Sequence, residues 1–74
     1  MEKFNNMVEV ENYIYNVIVY RHVSSKGIDE TGFKKEALKF LFESDRIPEN
    51  LRASKMFNFY AVKLSPNTSK YFSL

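Results

Sequence analysis

Residues 7–23 read MVEVENYIYNVIVYRHV, and two periodicities compete within them. Met7, Val10, Ile14, Val17, Ile18 and Arg21 fall at helical spacing. Against that, residues 8–23 hold seven Val or Ile and three Tyr, side chains that suit a pleated surface. Tyr13, Tyr15, Val17 and Val19 also alternate with period two. Composition and alternation together predict strand.

Length then constrains that strand. Fully extended, the segment would span roughly 55 Å, nearly twice the roughly 30 Å breadth expected for a globule of this size. A bend or a turn is therefore expected. Val8 and Val10 lie on even positions and the later alternation on odd ones, which puts a two-residue turn at Glu11-Asn12. That turn would pair Val10 with Tyr13 and Val8 with Tyr15 as a β-hairpin; one bent strand is the alternative.

Working outward, 24–32 contains both glycines and reads as loop. Asp29 and Thr31 are each plausible N-caps for a helix from Phe33 to Ser44. Phe33, Ala37, Phe40, Leu41 and Ser44 share one face, widened by Leu38 and Phe42. Lys35, Glu36, Lys39 and Glu43 oppose them. The less polar arc covers about 200°, wider than one sheet contact needs, so a second surface is expected to cover part of it.

Pro48 suits the first turn of a short helix reaching Ser54. Met56 to Leu64 reads as strand, with Met56, Asn58, Tyr60, Val62 and Leu64 on one parity. Ser65-Pro66-Asn67 signals a turn, and Lys70 to Leu74 could add a terminal strand. The expected fold class is α+β in a single domain, 1–74. A small antiparallel sheet, made of the hairpin and one or two C-terminal strands, would carry one main helix on one face.

Composition bounds the function. The 74 residues include no Cys and one His, which removes disulfides and thiolate zinc and leaves no basis for a His-based metal centre. No cofactor is expected. A domain this short hides only about 60% of the surface its unfolded chain exposes. Yet the chain holds seven Phe, five Tyr and three Met, and each buried aromatic removes roughly 150–250 Å² from water. The apolar inventory should overflow the core, and a homodimer is the simplest way to cover the excess. No basic-then-apolar leader opens the chain and no apolar run approaches the roughly 20 residues of a membrane span. A cytoplasmic setting without membrane contact is expected.

Catalytic constellations are sparse. Glu9 with Glu11, Glu43 with Asp45, and Asp29 with Glu30 read as solvated faces or helix ends. Arg21, His22 and Lys26 could in principle protonate a leaving group and steady a phosphate, as a small ribonuclease requires. A lone His in this position is more simply a hydrogen-bonded surface residue, and a non-enzymatic role is expected.

Binding chemistry is better represented. Residues 1–20 hold Lys3 against Glu2, Glu9 and Glu11, a net charge of −2, whereas residues 51–74 hold Arg52, Lys55, Lys63 and Lys70 with no acid, a net of +4. Aromatics interleave with those cations. Cations attract phosphates and exposed rings stack on unpaired bases, so a single-stranded or looped RNA is one expected partner. Arg52, Lys55, Lys63 and Lys70 would contact phosphates, Tyr71 or Phe72 would stack, and Arg21, His22 and Lys26 would extend the patch. The other expected partner is a protein, met by Tyr13, Tyr15 and Tyr20 with Leu38 and Phe42 as interface anchors; the chain would then act as an inhibitor or adaptor.

Lys, Asn, Phe, Tyr and Ile make up 31 of the 74 residues. That bias resembles the short accessory proteins of tailed phages. It is a likeness of composition without a family motif, and it implies a small binding protein acting on a host or defence component.

Overall fold

The computed structural model describes residues 2–64. Asn6 opens helix α1, Met7–Tyr13, by accepting a hydrogen bond from the Glu9 amide at 3.0 Å, while the Glu9 carboxylate reaches back to the Asn5 amide at 2.8 Å. This reciprocal pair satisfies amide donors that have no partner within the helix. The helix widens into a π-helical stretch, Ile14–Val19, and runs on through Arg21.

The strand or hairpin expected over 7–23 is thus corrected to helix. Met7, Val10, Ile14 and Ile18 are buried, and Val8, Tyr15 and Tyr20 face outward. The energetics explain the outcome. A β-branched residue loses at most about 0.7 kcal/mol in a helix relative to Ala. Each large apolar side chain that the helical register buries gains roughly 1.5–3 kcal/mol. Burial wins.

A minimal antiparallel hairpin follows. Strand β1, Val23–Ser24, pairs with β2, Gly27–Ile28, in the register Val23 with Ile28 and Ser24 with Gly27. Gly27 has φ +117°, a conformation that side-chain-bearing residues rarely adopt. The Ser24 hydroxyl accepts from the Lys26 amide at 3.2 Å and tightens the turn. A hairpin therefore exists, but it sits in the stretch expected to be loop.

Helix α2, Glu30–Glu43, matches the expected main helix and starts one turn earlier. Asp29 is its N-cap, accepting from the Gly32 amide at 3.0 Å. Helix α3, Glu49–Arg52, follows Pro48 as expected. Helix α4, Lys55–Leu64, replaces the strand expected over the same residues. Ser54 caps it, its hydroxyl accepting from the Phe57 amide at 3.1 Å. Phe57, Ala61 and Leu64, at i, i+4 and i+7, turn inward.

Over the described residues the fold is α+β, mostly helical with one small two-stranded antiparallel sheet; the turn expected at Ser65-Pro66-Asn67 and the terminal strand expected over Lys70 to Leu74 lie outside them. The sheet carries none of the core: both strands are exposed. The main helix packs instead on the π-helical stretch and on α4. The core comprises Met7, Val10, Ile14, Ile18, Ala37, Leu41, Ile47, Leu51, Phe57, Ala61 and Leu64, with Phe4 at one end. There Tyr13 stacks on Phe40 at 4.8 Å and the Arg46 guanidinium covers the Phe4 ring at 4.4 Å. The molecule measures 36 × 34 × 18 Å along its principal axes.

Candidate functional site

The inward set of α4 dictates its outward set. Opposite Phe57, Ala61 and Leu64, a rotation of about 100° per residue places Lys55, Phe59 and Lys63 in one stripe, with Met56 beside it. Phe59 is 75% exposed and Met56 56% exposed. The same reasoning on α1 puts Val8, Asn12 and Tyr15 outward, with Glu9 and Glu11 on either side. Tyr15 is 70% exposed.

Tyr60 on α4 is half-buried. Its phenol is pushed above the ordinary tyrosine value, first by its own burial and then by the nearby charges of Glu11 and Tyr15. Val8 and Tyr15 on the N-terminal helix, and Met56 and Phe59 on α4, are large apolar side chains left exposed by these two helices. Glu9 and Glu11 flank the first pair in the helical register, and Lys55 and Lys63 lie in register with Phe59. Neither Lys55 nor Lys63 forms an ion pair among the described residues.

Among the described residues, the cations expected to bind phosphate have different surroundings. Arg52 donates to the carbonyls of Leu41, Phe42, Ser44 and Ile47, closing the C-terminal end of α2. Its donors are spent on the fold. Arg21 pairs with Glu36 at 2.6 Å. Lys26 sits at the hairpin turn. Lys55 and Lys63 remain exposed, and Lys70, Tyr71 and Phe72 lie outside the described residues. Of the expected interface anchors, Tyr13 and Leu38 pack against the core. Tyr15 and Tyr20 are exposed, as is Phe42, whose ring meets Phe57 edge-on at 6.0 Å.

His22 is held by carboxylates on both sides. Its Nε2 lies 2.8 Å from Glu36 Oε1, and its Nδ1 faces the Asp29 carboxylate at 3.9 Å. The Asp29 amide also donates to the His22 carbonyl at 2.9 Å. Ring and backbone together pin the hairpin to α2. With both nitrogens facing protein groups, this arrangement orients an element of the fold. Among the described residues, no three His, Asp or Glu side chains group to hold a metal ion, and no helix is long and apolar enough to cross a membrane.

No family model, curated protein or solved structure matches the chain. The site must be read from its own chemistry. Phe59, Met56, Tyr60 and Glu11 are the residues that sequence reasoning left out of it. The signal was present in Lys55, Phe59 and Lys63 at i, i+4 and i+8, but a strand reading of 56–64 puts Phe59 and Lys63 on the same face as Phe57 and Ala61, which the helix turns inward.

Proposed function

We propose that the chain is a non-enzymatic protein-binding module working through side chains exposed on its N-terminal helix and on α4. One observation carries the reading: Tyr15 and Phe59, two large aromatics, are at least 70% exposed, and Val8 and Met56 on the same two helices are exposed as well. Aromatic and Met side chains are enriched in protein interfaces, where they anchor the buried centre. The charges on these two helices are of both signs, Glu9 and Glu11 on one and Lys55 and Lys63 on the other. That favours a protein partner over a polyanion, which the α1 carboxylates would repel. Capture from native cells with nuclease present tests it. A specific polypeptide should be recovered by the wild type and by Tyr20→Ala, and lost with Phe59→Ala and with Tyr15→Ala. Equal recovery by all four proteins removes these side chains from consideration.

RNA binding is the second reading, favoured by one feature. Lys55 and Lys63 flank the exposed Phe59 ring in a single stripe, the arrangement in which cations hold a backbone while a ring stacks on a base. It predicts affinity for single-stranded RNA that falls with salt. The slope should decrease by about one unit per lysine removed. An unchanged slope after Lys55→Ala and Lys63→Ala ends this reading.

A further inference from the structure

We infer that the π-helical stretch Ile14–Val19 is a one-residue register shift built into the N-terminal helix, and that it aims His22 at α2 in place of Arg21.

An uninterrupted α-helix would put Arg21 on the inward line. Met7, Ile14 and Arg21 are seven residues apart, about two turns each, so all three would face the same side. Met7, Val10 and Ile14 do lie buried, and the Ile14 amide still donates to the Val10 carbonyl as an α-helix requires. Beyond the π-helical stretch the line has moved on by one residue. Ile18 is buried and Val19 packs against the core. The His22 side chain is 24% exposed, whereas that of Arg21 is 55% exposed. A π-helix closes its hydrogen bonds one residue later than an α-helix, so a turn takes up an extra residue. One surplus residue turns the following chain back by about 100°, which is the angle that separates Arg21 from His22.

The exchange suits the two side chains. The space against α2 is narrow, since a β-carbon on Gly32 would lie 2.9 Å from His22 Nδ1. A flat imidazole fits there with Nε2 2.8 Å from Glu36 Oε1. A guanidinium is costly to bury, and Arg21 instead reaches Glu36 Oε2 at 2.6 Å while staying more than half exposed. One carboxylate thus holds both residues. The hairpin that begins at Val23 leaves the helix in the direction set by His22, whose carbonyl accepts from the Asp29 amide at 2.9 Å.

The shift predicts unequal outcomes for losing and gaining a residue in the full 74-residue chain. Removal of Asn16, exposed within the stretch, takes away the surplus and leaves an α-helix with both ends in their present directions. An alanine inserted between Asn16 and Val17 adds a second surplus and turns the chain beyond it by about another 100°. The deletion should melt within about 5 °C of the wild type, and the insertion at least about 15 °C lower or not fold at all. An unshifted α-helix would be disturbed alike by both, because each turns the flanking segments through the same angle.

His22 supplies a second readout. It is the one His of the chain, so its ring gives a single imidazole signal set in proton NMR. Glu36→Gln should move that signal in the wild type, and by a similar amount in the Asn16 deletion, because the contact is kept. Deletion and insertion variants that change stability equally overturn the register shift, as does a deletion variant that fails to fold. A His22 signal indifferent to Glu36→Gln in either protein shows a ring that is not aimed at α2 and overturns the inference as well.

Discussion

The Arg52 guanidinium donates to the Leu41 carbonyl at 3.0 Å, and the same group reaches Ile47, Phe42 and Ser44. The last carbonyls of a helix have no partner within it. One planar fork supplies partners to several at once and places positive charge at the negative end of the α2 dipole.

Arg52→Ala should therefore destabilise the protein by about 2 kcal/mol, because it strands several partly buried carbonyls. Arg52→Lys should recover less than half of that, since a single ammonium cannot span the same acceptors. Urea denaturation midpoints measure both. A loss of RNA affinity at unchanged stability would return Arg52 to a binding role.

Helix and strand readings of residues 7–23 assign opposite roles to Ile14 and Tyr15. In the helix, Ile14 is fully buried and Tyr15 faces outward. Ile14→Ala should cost about 2–4 kcal/mol, while Tyr15→Ala should stay within about 0.5 kcal/mol. Thermal melts of the two variants separate the registers. A reversed order of costs would restore the hairpin.

Gly32 lies where His22, Asp29 and α2 converge. A β-carbon there would come within 2.2 Å of Asp29 Oδ2 and 2.9 Å of His22 Nδ1. Ala is normally better than Gly in a helix by about 1 kcal/mol. Here it must displace the carboxylate that caps α2, which costs a similar amount, and must push His22 as well. Gly32→Ala should thus be destabilising overall, read as a lowered melting temperature. An increase would show that the Asp29 side chain moves aside freely.

The raised Tyr60 value gives stability a dependence on alkaline pH. The folded protein holds the phenol proton more tightly than the unfolded chain, whose tyrosines titrate near 10. The corresponding stabilisation is fully present below that point and is lost as pH rises through the folded value. Melting temperatures of the wild type should fall relative to Tyr60→Phe above about pH 10. Glu11→Gln should shrink that difference by removing one of the charges that raise the value. Parallel curves for wild type and Tyr60→Phe would refute the linkage.

Some of the molecule was legible before any coordinates. The α2 helix announced itself through Asp29 as a cap and through Ala37, Phe40 and Leu41 on one face. Pro48 marked the start of α3. The α+β class was read correctly, although the described strands lie at 23–24 and 27–28, while the strands expected within 7–23 and 56–64 gave way to helix. The error at 7–23 came from weighting Val, Ile and Tyr content above the Asn6–Glu9 capping pair, a helix-start signal three residues apart. The error at 56–64 has the same cause. Phe57, Ala61 and Leu64 at helical spacing coexist there with an alternation of period two, and Ser54 as a cap went unused.

The sequence by itself determined that the chain lacks thiol chemistry, carries one His, and holds acid near its start and base near its end. It also carried more aromatic and aliphatic side chains than a short chain readily hides. Only the tertiary structure decided which of these side chains stay outside, because burial depends on register against neighbours distant in the chain. The same holds for the cations. A guanidinium binds whatever acceptors surround it, and only packing reveals that Arg52 faces helix-end carbonyls while Lys55 and Lys63 face solvent.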